Sequence, residues 1–155
     1  MADTATAPAS LPQLAVDHPS KGKVIEHKAG EVTFKPGGTT YEHHLAYAPD
    51  DGDYKLPVKK PVRGVVYVKA RKLYSVPSGG NFVAPIMGEP RIVQGRVVAS
   101  EGRQLLVHAG GSVLVDLPRT EDAIDLHSGS LEIGSMVNVV CLPGASYLPV
   151  DPRPE

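Results

Sequence analysis

The sequence predicts an all-β fold: about three repeated β-hairpin-like units forming a small barrel or sandwich, with extended arms at both ends. Three observations lead there. The chain carries 16 glycines and 15 prolines in 155 residues, which divides it into short segments between turns. Its apolar runs, such as 64–68 and 136–142, are short and rich in valine, the composition of strands. A glycine pattern also recurs. Gly37-Gly38, Gly79-Gly80 and Gly110-Gly111 are each preceded, fifteen residues earlier, by Gly22, Gly64 and Gly95. Two positions after each of those stands Val24, Val66 or Val97, and three positions before each pair stands Phe34, Val76 or Val107.

Taken in order, residues 1–21 are mostly Ala, Thr, Pro, Ser and Asp without periodicity, the composition of a low-complexity arm, disordered alone or ordered by a partner. The β-rich body spans 22–150, with units at 22–46, 62–88 and 93–118. Unit three is the clearest: a strand at 94–99, a Glu101-Gly102 turn, a strand at 104–108, the Gly110-Gly111 turn and a strand at 113–117. A two-residue turn on the glycine pair would set Ala109 opposite Ser112 and Val107 opposite Leu114. In unit two, Pro77 cannot donate to a ladder and belongs at an edge. One short helix is expected over 121–127, with Thr120 as N-cap, Glu121, Asp122 and Asp125 near its start and Gly129 beyond its end. A strand entered through Ile133-Gly134 follows, so that 91–148 has the element order of an OB-type barrel. Residues 151–155 form a second arm.

The single cysteine, Cys141, allows no intramolecular disulfide, and its apolar strand argues for a structural thiol over a reactive thiolate. Residues 1–15 lack the basic start and apolar stretch of a signal peptide, and no apolar run approaches the ~20 residues of a membrane helix. The expectation is a soluble protein of the cytoplasm or a virion, without membrane contact.

Catalytic and cofactor motifs are missing from the sequence: no phosphate loop, no nucleophile elbow, no His-Glu-x-x-His. His43-His44 would point to opposite faces of a strand, so they read as surface histidines that share no metal. No enzyme activity, cofactor or metal is therefore expected. Charge is more informative. Between Tyr54 and Ser75 stand Lys55, Lys59, Lys60, Arg63, Lys69, Arg71 and Lys72 with no acid, whereas 112–155 carries seven acids against Arg119 and Arg153. Overall the net charge is −1. Two poles of opposite sign fit head-to-tail contact with other protein copies, and the basic one also fits a nucleic acid. Tyr54, Tyr67 and Tyr74 interleave with those cations as stacking platforms on single-stranded nucleic acid do.

With its Ala/Thr/Pro stretch at 1–19, its glycine-turned body and its lack of catalytic motifs, the chain resembles in plan the small cement or decoration proteins of tailed-phage capsids. That resemblance implies a trimer that grips a shell lattice through the arm. The sequence thus points first to a non-enzymatic structural subunit binding a protein assembly, self or a virion capsid. Its alternative is an OB-like module binding single-stranded nucleic acid through 55–72.

Overall fold

A computed structural model describes residues 12–28, 30–47, 58–77, 79–117, 124–125 and 132–150. The fold is all-β. Its elements are α1 (Gln13–Asp17), β1 (Ser20–Lys28), β2 (Glu31–Pro36), β3 (Glu42–Ala46), β4 (Pro61–Ser75), β5 (Phe82–Ala84), β6 (Met87–Gly88), β7 (Ile92–Glu101), β8 (Gln104–His108), β9 (Ser112–Asp116), β10 (Ile124–Asp125), β11 (Met136–Cys141) and β12 (Ser146–Pro149).

Two closed rings share one strand. β1, β2 and β3 form an antiparallel meander; β3 runs parallel to β12, β12 antiparallel to β4, and β4 returns to β1. β7, β8 and β9 form a second meander; β9 runs parallel to β4, β4 antiparallel to β11, and β11 returns to β7. Numbered by role, each ring reads meander 1-2-3, then 5, then 4, closing on 1, the order of an OB-type barrel. The fifteen-residue β4 makes this possible. Its first half pairs with β1 and β12, its second half with β9 and β11. The expected barrel within 91–148 is therefore completed by β4, and the late strand β12 closes the other ring.

The glycine repeat has a physical cause. A Cβ at Gly22 would overlap the Lys35 carbonyl oxygen, and one at Gly95 would overlap the His108 carbonyl oxygen, two contacts separated by the same 73 positions. Val24 pairs with Phe34 and Val97 with Val107, and a bulge follows each valine, at Ile25 and at Val98. The two meanders thus repeat each other residue for residue at this point. Gly64 is different, because a Cβ there would overlap the Tyr147 ring. All three valines are buried, as inward-facing residues of closed rings must be.

Four expectations need correction. Unit two is no hairpin: β5 pairs with β7 and β6 with β3, so 82–88 straps across both rings. The ladder across Gly110-Gly111 sets His108 opposite Ser112 and Val107 opposite Val113. Only Gly110 takes a positive φ (74°), so the turn uses three residues, and the expected pairing slips by one. The helix over 121–127 is replaced at Ile124–Asp125 by a short strand parallel to β4, where closing a ladder outweighs weak local propensity; its other residues lie outside the described set. The segment expected as an arm over 1–21 folds in its last part. Leu14 and Ala15 on α1 are buried in a cluster with Val65, Tyr67, Leu106, Leu114 and Leu148. Residues 1–11 and the tail 151–155 lie outside the described set.

The main core runs through both rings, from Val24, Phe34, Leu45 and Tyr147 to Val93, Val107, Val113 and Val139. From Gly64 to Val68 every residue of β4 is buried, because one face lines the rings and the other packs under α1.

Candidate nucleic-acid interface

The cations of 55–72 do not form one surface. Lys59, Lys60 and Arg63 lie at the β1 end of β4; Lys69, Arg71 and Lys72 lie at its far end, beside β9 and β11; Lys55 lies outside the described residues. Lys69 sits opposite Asp116 on β9. Arg71 falls at the irregularity where Ala70 pairs with Cys141 and Lys72 with Val140.

The first group is completed by lysines that the sequence reading passed over. Lys21 on β1 lies directly opposite Arg63 on β4, and Lys23 lies directly opposite both Pro61 on β4 and Lys35 on β2. Directly paired residues face the same side of a sheet, and positions 21 and 23 share a face by the two-residue period. Lys21, Lys23, Lys35 and Arg63 therefore project together from the outside of the first ring, all exposed. Beside them Val58 bridges to Val24, and Lys59 donates its backbone N–H to the Val24 carbonyl (2.8 Å). Lys59, also exposed, has a φ of 66°, the one non-glycine positive φ among the described residues and a strained conformation. Among the described residues Lys21, Lys23, Lys35, Lys59 and Lys60 meet no carboxylate; the Lys28–Glu26 ion pair (3.7 Å) lies at the far end of β1.

The three tyrosines separate. Tyr67 is buried, its hydroxyl donating to Asp116, and burial followed by that carboxylate pushes its pKa well above the usual phenol value. It cannot stack on a ligand. Tyr74 is 38 % exposed, and Tyr54 lies outside the described residues.

His43 and His44 point to opposite faces as expected, but His43 is not on the surface. It is 2 % exposed inside the first ring, its ring stacked on Tyr41 (5.3 Å between centroids) and its Nδ1 unpartnered. Burial, with a smaller contribution from His44, lowers its pKa to about 4. Its burial had no local signal, because the covering strands come from distant parts of the chain. No group of three His, Cys, Asp or Glu gathers among the described residues. Cys141 is half-buried, and burial followed by the charge of Glu89 pushes its thiol up to about 12, far from a reactive thiolate. Glu89 itself accepts from the backbone N–H groups of Gly144 and Ala145, fixing the strap against the link between β11 and β12. No helix among the described residues is long and apolar enough to cross a membrane.

No protein-family model matches the chain, and comparison with curated proteins finds no relative.

Proposed function

We propose that this chain is a binding module without enzymatic activity, and that the outer face of its first ring takes the phosphate backbone of a single-stranded nucleic acid. The carrying observation is the like-charged cross-strand pair Lys23 with Lys35, with Lys21 on the same face of β1. Like charges set directly opposite each other destabilise a sheet, and a polyanion relieves that repulsion. Along β1 Lys21 and Lys23 are about 6.7 Å apart, two strand residues, close to the spacing of phosphates in an extended strand. Lys35 lies on the second strand of its ring, and the face of strands two and three is where OB-type barrels bind oligonucleotides. The triple variant Lys21→Glu, Lys23→Glu, Lys35→Glu is expected to lose binding to a labelled oligonucleotide that the wild type holds at low salt. Equal binding by both proteins would refute the assignment.

A second reading, an assembly subunit, is favoured by a separate observation. Ile86 and Met87 on the strap are 57 % and 61 % exposed, large apolar side chains where a lone soluble domain gains nothing from them. Under this reading the partner is a protein assembly or further copies of the chain, a trimer on a virion shell being the arrangement the sequence resemblance implies. Light scattering of the wild type against Ile86→Glu, Met87→Glu tests it. Loss of a stable oligomer in the variant supports the reading, and a wild-type monomer refutes self-assembly.

A further inference from the structure

The outside of the second ring carries a row of four side chains that neither reading uses. Tyr74 on β4 pairs with Asn138 on β11, Asn138 pairs with Gln94 on β7, and Gln94 pairs with Phe82 on β5. Direct pairing puts all four on one face in one line across four strands, with the outer two about 14 Å apart at the usual strand spacing. Tyr74 and Phe82 are 38 % and 39 % exposed, whereas Gln94 and Asn138 are 9 % and 8 %. The order across the row is aromatic, amide, amide, aromatic.

Hydrogen bonding within the row is incomplete. Asn138 Nδ2 donates to Gln94 Oε1 (3.0 Å), and Gln94 Nε2 donates to the Gly80 carbonyl (2.8 Å). Asn138 Oδ1 is buried and has no partner. A buried amide oxygen without a hydrogen bond is destabilising, and a ligand donor would satisfy it. Cations flank the row: Lys72 stands two positions before Tyr74 on β4, and Arg96 two positions after Gln94 on β7, both exposed. Beside it opens a cavity of about 280 Å³ lined by Ser75, Val76, Pro77, Arg96, Ser135 and Met136, among others.

We infer that this row is a nucleobase site. A base stacks on Tyr74 or Phe82, one of its ring or exocyclic N–H groups donates to Asn138 Oδ1, and Lys72 and Arg96 meet the adjoining phosphates. The site rests on the nucleic-acid reading above and extends it. The first ring then holds backbone, the second holds bases, and β4 joins them over about 35 Å from Arg63 to Tyr74.

The experiment compares the full chain's affinity for an oligonucleotide with that for an abasic strand of equal length, which keeps the phosphates and lacks the bases. Stacking predicts about tenfold or more tighter binding of the base-bearing strand. Tyr74→Ala with Phe82→Ala should bring its affinity down to that of the abasic strand with an unchanged salt slope, and Tyr74→Phe, which keeps a stacking ring, should retain most of it. Equal affinity of the wild type for the two strands overturns the base site and leaves backbone binding standing. Unchanged base preference in the double alanine variant also overturns it. Failure of the wild type to bind either strand overturns the function reading itself, and the base site with it.

Discussion

His43 shows what a single residue of this fold costs and controls. Its neutral ring fits the first ring beside Tyr41, but a proton on it would be a charge in the core with an unpartnered Nδ1. The folded pKa is about 4 against 6.5 for a free imidazole. Above pH 6.5 the ring is neutral in both states, and stability is undiminished. As pH falls from 6.5 toward 4 the unfolded chain binds a proton that the folded chain refuses, so stability falls, by about 3 kcal/mol over the window. Urea unfolding from pH 7 to 4 should show that loss in the wild type and a smaller one in His43→Phe; parallel curves would show that His43 does not carry it. The sequence disclosed that the two histidines face opposite ways, because strand period is local. It did not disclose which face is buried, because that depends on Val62, Val66 and Tyr147 arriving from far along the chain to line the same ring.

At the scale of elements, what was legible followed local chemistry. The strands of unit three, its Gly102 turn and the glycine–valine spacing at Gly22 and Gly95 are set by contacts within about fifteen residues, and they lie where the sequence places them to within a few residues at the ends. The partner of β4 was not legible. Its residues read as the start of a hairpin-like unit over 62–88, yet its neighbours include β1, β9, β11 and β12, chosen by closure of two rings. The same long-range logic explains α1. Five residues do not hold a helix by themselves, and this one persists because Leu14 and Ala15 cover Val65, Tyr67 and Leu148. Leu14→Ala should therefore cost about 2–3 kcal/mol and lower Tm by about 5–10 °C. Thermal unfolding of that variant is the check, and an unchanged Tm would show that α1 is not part of the packed body.

For the whole molecule, the shared strand β4 joins the two rings into one body. The basic stretch that stands out in the sequence is divided by β4 between the two rings, and its first half acquires meaning only beside Lys21, Lys23 and Lys35. Those lysines did not stand out in the sequence because Lys21 and Lys23 straddle the end expected for the arm and Lys35 comes twelve residues later, and only strand pairing gathers the three. A net charge of −1 hides this, since a face and a total are different quantities. The direct measurement is the affinity of the full chain for a single-stranded oligonucleotide as a function of salt. If Lys21, Lys23 and Lys35 each neutralise a phosphate, log K falls with log salt at a slope of about −2, that is about −0.7 for each of three contacts. The triple Lys→Glu variant should flatten it. No binding at low salt, or binding that salt does not weaken, would contradict the assignment of this face to a nucleic-acid backbone.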